Sequence, residues 1–268
     1  MATDVPTRKV AVITGASSGI GREVALALAR AGWTLVLFSR RTNLLEETRL
    51  ACPNPDACLV TQGDVCGEED VVRLFQLAVE RFGMFSFAKC SGAKLIGFRE
   101  DRPANAGISS SPLPVEDTPF SVFTDVLNTN VVGSFLCARE AIKIFKRQSP
   151  QGGRIVNNGS LAAYSPRPHA LPYTVSKHAV SGLTKQIALE GRTCGVTVTQ
   201  IDIGNAHTAM AGPHTSGALQ ADGTVRPEPT FDVKYVGDAI VHVAGLPLDV
   251  SVPELTIMAT GMPYIGRG

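Results

Sequence analysis

Charge of one sign is what this chain most lacks: 25 Lys and Arg stand against 24 Asp and Glu, a formal net charge of +1. A surface so balanced offers no electrostatic footing to nucleic acid or to an acidic bilayer, and neither is expected as a partner. No apolar run approaches the roughly eighteen residues that a spanning helix needs. The start, Met1 to Lys9, has no apolar h-region, and no signal peptide is expected there. The histidines (His169, His178, His207, His214, His242) show no ligand spacing, so no metal is expected. Cys52, Cys58, Cys66, Cys90, Cys137 and Cys194 are scattered without paired spacing. Free or buried thiols in a reducing compartment fit that scatter better than disulfides or zinc. No repeat and no linker divides the chain. On these absences the chain is expected to be soluble and cytoplasmic.

What is present is core material, 44% apolar over 268 residues. Lys9–Ile13 is a β-branched run suited to a strand buried on both faces. It enters Thr14-Gly15-Ala16-Ser17-Ser18-Gly19-Ile20-Gly21, after which a helical pattern begins. In that strand–turn–helix context Gly15 permits the tight turn, Gly19 lets backbone approach a pyrophosphate, and Gly21 lets the helix pack close. The helix start adds N–H donors for phosphate. Thr34–Phe38 (strand), Asn43–Ala51 (helix), Cys58–Gln62 (strand) and Glu68–Phe82 (amphipathic helix) continue the alternation. Strict β/α alternation predicts a three-layer, doubly wound Rossmann-type parallel sheet in a single domain, residues 1–268.

The second strand ends in Ser39-Arg40-Arg41, where folds that prefer NAD place an acid for the ribose 2′-hydroxyl. Guanidinium groups suit a 2′-phosphate, and NADP is therefore favoured over NAD. Asp64, followed by Val65, stands just past the third strand, placed to accept from an adenine amino group, to cap the next helix, or both.

Further on, Tyr173 and Lys177 stand four apart at the head of an apolar-periodic segment and share one helix face. A fixed ammonium beside a phenol, whose unperturbed pKa is about 10, lowers that pKa and yields a proton donor and acceptor for a carbonyl or an alcohol. A lone Tyr-x-x-x-Lys is a weak signal; its meaning comes from its company.

That company is the glycine turn, Asn130, Ser160, Tyr173 and Lys177, in an order and spacing that resemble the short-chain dehydrogenase/reductase family over nearly the whole chain. The resemblance implies Ser160, Tyr173, Lys177 and Asn130 as the catalytic set. Ser160 polarises the substrate oxygen, Tyr173 exchanges its proton, Lys177 lowers the phenol's pKa and holds the nicotinamide ribose, and Asn130 continues a proton relay. It likewise implies that Gly15, Ser17, Ser18, Gly19, Ile20 and Gly21 cradle the cofactor with Ser39, Arg40, Arg41, Asp64 and Val65. After Val196–Ile201 the family's Pro-Gly is replaced by Ile203-Gly204, with Thr208 at the position that meets the carboxamide.

The family's Asn-Asn-Ala-Gly turn has two competitors here. Counting forward from Asp64 reaches Lys89-Cys90-Ser91-Gly92, whereas counting back from Asn130 reaches Asn105, Ala106 and Gly107. The second is the better match and is preferred for the cofactor. It requires an insertion of about fifteen residues near 84–103, with the fourth strand drawn from Met84–Phe98. Thr118–Lys146 reads as one long helical region, Ile240–Ala244 as part of the last helix, and Glu254–Ala259 as a closing strand. Residues 209–229, rich in Gly, Pro and small polar side chains, read as a mobile lid. Pocket walls at Leu161, Ala162, Tyr164, His169, His207 and Met210 favour a neutral, moderately hydrophobic ketone or secondary alcohol, a substrate that suits secondary metabolism. Homo-oligomers, dimer or tetramer, are common in the family. The alternative is a catalytically impaired NADP-binding regulatory or scaffold protein of the same fold.

Overall fold

The computed structural model describes residues 9–90, 113–208 and 217–265. Seven strands form one sheet: β1 (Val10–Thr14), β2 (Thr34–Ser39), β3 (Cys58–Gln62), β4 (Phe87–Cys90), β5 (Gly153–Asn158), β6 (Val196–Ile203) and β7 (Glu254–Ile257). Their spatial order is β7-β6-β5-β4-β1-β2-β3 and every pairing is parallel. The chain order reverses between β1 and β4, which opens a crevice at the carboxyl ends of those two strands.

Side chains alternate across each strand and both faces are covered, which is why the strands read as near-continuous apolar runs. Ala11, Ile13, Leu35, Leu37 and Phe87 face one layer, where α1 (Gly19–Arg30), α2 (Thr42–Leu50) and α7 (Lys234–Gly245) contribute Val24, Leu45 and Ile240. Val10, Val12, Val36 and Ala88 face the other, packed by α3 (Glu68–Phe82), α5 (Gly133–Phe145) and α6 (Leu171–Gly191).

Two long-range readings meet the structure differently. The region expected as one helix is α4 (Phe120–Leu127) and α5 joined by a π-helical turn, Asn128–Val132, in which the Gly133 N–H donates to the Asn128 carbonyl. The fourth strand lies early in its expected window, because Phe85 is wholly buried between Phe75 and Phe145 and pins the residues after it. Lys89 and Cys90 are consequently residues of β4, opposite Val156 and Asn157. Asn105, Ala106 and Gly107, and Met210 of the pocket wall, lie outside the described residues. Of the span expected as a lid, residues 217–229 are described; Ala218–Leu219 pairs antiparallel with Val225–Arg226.

Candidate active site

The glycine turn follows β1 directly into the crevice. Gly15 and Gly19 take φ of 68° and 53°, the left-handed region that favours glycine. A Cβ on Gly21 would fall 2.1 Å from the Gly15 carbonyl oxygen, so the first turn of α1 closes on the loop only without a side chain. Thr208 comes to the same place: its Cγ2 is 3.8 Å from where a Gly19 Cβ would sit. At the end of β2 the Arg41 guanidinium reaches back to the Ser17 and Ser18 hydroxyls at 3.1 and 2.8 Å, and the Arg41 N–H donates to Ser39 Oγ. None of Ser39, Arg40 and Arg41 carries a carboxylate, and the hydroxyl and guanidinium donors of this corner fit the phosphate groups of a dinucleotide. Asp64 does not cap α3, whose N-cap is Gly67; its Oδ1 accepts from the Cys66 N–H at 3.0 Å in the turn that precedes the helix.

Across the crevice, Ser160 follows β5 and caps a short 3₁₀ turn, Leu161–Ala163, its Oγ accepting from the Ala162 N–H at 3.2 Å. Tyr173 and Lys177 occupy the first turns of α6. The Lys177 Nζ is 5.4 Å from the Tyr173 ring centroid and donates to the Asn158 carbonyl at 2.7 Å. The Ser160 side chain stands near enough to the Tyr173 phenol to oppose its upward shift. Asn130, brought inward by the π turn, donates from Nδ2 to Ser176 Oγ at 3.0 Å, and Ser176 donates to the Tyr173 carbonyl.

The electrostatics differ from the expectation that Lys177 lowers the phenol. Burial pushes the Tyr173 phenol up, and the Asp202 charge adds to that, against the hydrogen bond from Ser160 and the charge of Arg167. Lys177 is itself depressed to about 7, first by burial and then by a second lysine, Lys89, with Asp202 opposing. Lys89 is 2% exposed and depressed by burial to about 8. Two buried ammonium groups near each other weaken the positive charge that either can offer.

Four groups escaped the sequence reading. The Asp202 carboxylate, on β6 and wholly buried, accepts the Ser160 backbone N–H at 2.7 Å, the Tyr164 hydroxyl at 3.1 Å, and Gln200 Nε2 with both oxygens. Gln200 and Asp202 are two apart in a strand and so share a face, and this was the available signal. Arg167 is paired through both amino groups with Glu228, which also accepts from Asn205 and Gln220. Burial alone would raise the Glu228 carboxyl, but those hydrogen bonds prevail and bring it to about 2. With no proline after β6, Ile203 stays in the ladder opposite Ile257, and the Gly204 N–H donates to the Ile257 carbonyl.

Residues 9–218 match the family described as short chain dehydrogenase. The chain is 38% identical over 208 residues to an A-factor type γ-butyrolactone 1′-reductase (1S-forming) of Streptomyces virginiae, covering 76% of this chain and 74% of that one. It is 30% identical over 262 residues to a farnesol dehydrogenase of Aedes aegypti, covering 96% and 98%. Among solved structures, an actinorhodin polyketide ketoreductase with NADPH superposes with a TM-score of 0.78 at 24% identity, covering 94% and 96%. An alcohol dehydrogenase of Thermococcus sibiricus complexed with 5-hydroxy-NADP gives 0.77, also at 24%, covering 96% and 98%. At that identity the two structures speak for the fold, while the sequence matches extend to membership: the chain belongs to the short-chain dehydrogenase/reductase family.

Proposed function

We propose that the protein is an NADP(H)-dependent oxidoreductase that interconverts a neutral, moderately hydrophobic ketone and its secondary alcohol. The observation that carries this is the meeting of the Ser160 hydroxyl, the Tyr173 phenol and Lys177 at the carboxyl end of β5. Bound NADPH supplies the hydride that goes to the carbonyl carbon. Ser160 Oγ accepts from Ala162 and keeps its own proton to donate to the substrate oxygen. Tyr173 gives its proton to the same oxygen as charge develops there, and takes it back in the direction of oxidation. Lys177, anchored on the Asn158 carbonyl, holds the nicotinamide ribose, and Asn130 with Ser176 extends the proton path behind it. A phenol raised by burial stays protonated at neutral pH, which favours ketone reduction.

Arg41 with Ser17 and Ser18 supports the preference for a 2′-phosphate. Leu161, Ala162 and Tyr164 offer an apolar wall, and the Arg167 fork is already satisfied by Glu228 instead of being open to an anionic substrate. The names of the butyrolactone reductase and the farnesol dehydrogenase point to uncharged, apolar substrates, and the former suits a role in secondary metabolism. Phe120 and Phe135, 80% and 45% exposed on α4 and α5, support a homo-oligomer formed through those helices.

The test is NADPH oxidation with a panel of ketones. Tyr173→Phe is expected to lose about 10²–10⁴-fold in kcat while still binding NADPH. Binding without turnover in the unaltered protein, or a Tyr173→Phe variant that works as well as its parent, overturns the enzyme reading in favour of a scaffold. Arg41→Ala is expected to lower the NADPH-over-NADH preference by about tenfold or more, the worth of a charged hydrogen bond; an unchanged ratio defeats the 2′-phosphate assignment.

A further inference from the structure

We infer that Asp202 is a positioning residue of the carbonyl site, fixing Ser160 against Tyr173 and supplying the fixed negative charge of the Ser160–Tyr173–Lys177 cluster. The inference rests on reading those three as the reacting set. Its geometry is built from three sides. Oδ1 receives the Ser160 backbone N–H at 2.7 Å, so the segment that carries the serine hydroxyl hangs on this carboxylate. Gln200 Nε2 bridges the two oxygens at 2.9 and 3.0 Å, and the Tyr164 hydroxyl reaches Oδ2 at 3.1 Å. A Cβ on residue 159 would lie 2.0 Å from Oδ1, so Gly159 is what leaves the carboxylate its place.

A neutral amide oxygen would accept the Ser160 N–H equally well, and burying a full charge costs several kcal/mol. Burial raises the Asp202 carboxyl while the hydrogen bonds from Gln200, Ser160 and Tyr164 pull it back down, and the cluster gives the charge so held a use. Lys177 is 1% exposed, its hydrogen bond goes to the uncharged Asn158 carbonyl, and Lys89 repels it. The charged and titratable groups around Asp202 are Glu254 on β7, Tyr164 in the following turn, Tyr173 and Lys177 on α6, and Arg167. Glu254 opposes it, Lys177 complements it, and Arg167 acts on the Tyr173 phenol. Asp202 favours the ammonium of Lys177 and disfavours the phenolate of Tyr173. Both effects keep the site charged for donation, in the direction of ketone reduction.

Asp202→Asn keeps an acceptor for Ser160 and removes the charge. In ketone reduction, the limb of kcat/KM that falls with rising pH is expected to move to lower pH, because the phenol of the variant ionises more easily. An active Asp202→Asn variant whose pH profile superimposes on the parent's overturns the inference; a parent with no turnover strikes the proposed function instead. Should Asp202→Asn not fold, Gln200→Leu removes the donor shared by both carboxylate oxygens and leaves the charge in place. It is expected to lower kcat about tenfold with the KM for NADPH within about twofold; an unchanged kcat overturns the positioning role.

Discussion

Replacing Glu228 by Gln removes one charge and almost no volume from a point that ties residues 217–229 to the segment between Ser160 and Tyr173. The Glu228 side chain is 1% exposed and its partner Arg167 19%, so solvent screens the pair little. The carboxyl falls from a reference of 4.5 to about 2, a difference worth about 3 kcal/mol of stability. The sign follows from the direction: a depressed carboxyl contributes fully above pH 4.5 and loses that contribution as acid takes it down through about 2. Denaturant unfolding of the two proteins across pH should therefore give a gap of about 3 kcal/mol at neutral pH that closes progressively below the reference value. Hydrogen exchange of residues 217–229 should rise in Glu228→Gln over the same range if the loss is local opening. A gap of the same size at every pH, or none at pH 7, refutes the reasoning, since either result would mean that the charge on Glu228 does not hold the segment.

Ser160→Ala should lower kcat by about 10²–10³-fold, the worth of one donor at a developing oxyanion, with NADPH binding retained; single-turnover kinetics reads this. Gly21→Ala should abolish or sharply weaken NADPH binding, measured by fluorescence titration, because its Cβ would meet the Gly15 backbone at 2.1 Å. Lys89→Met removes the like charge beside Lys177, whose pKa should climb from about 7. A pH profile of activity or cofactor binding that reports Lys177 should move to higher pH, and an unmoved profile would mean the two lysines do not interact.

Periodicity made most of the scaffold legible. Cys58–Gln62 and Glu68–Phe82 were read to the residue because one is a short run bounded by turns and the other a clean amphipathic stripe. The glycine turn was legible because each glycine answers a steric demand of the strand–turn–helix passage. β4 was harder: four residues that include Lys89 break the apolar pattern of a central strand, and the buried aromatic that sets its register, Phe85, meets partners 10 and 60 positions away. The direction of the Tyr173 phenol's shift was not legible, since the desolvation that raises it is a property of packing. Arg167 and Glu228 are separated by 61 positions, and nothing local in either segment announces the other.

The π turn at Asn128–Val132 has a consequence for how this region tolerates change. Such a turn holds one residue more than the α-helical count, and each residue of an α-helix advances the side chains by about 100°. Absorbing that residue in one wide turn keeps Leu136, Cys137, Ala141 and Phe145 on the sheet, whereas an α-helix carrying the same residue would swing them off by that angle. The wide turn takes up one surplus residue and no more: a further insertion in these five positions should be far more damaging than point substitutions at their exposed members, Asn128 and Val132.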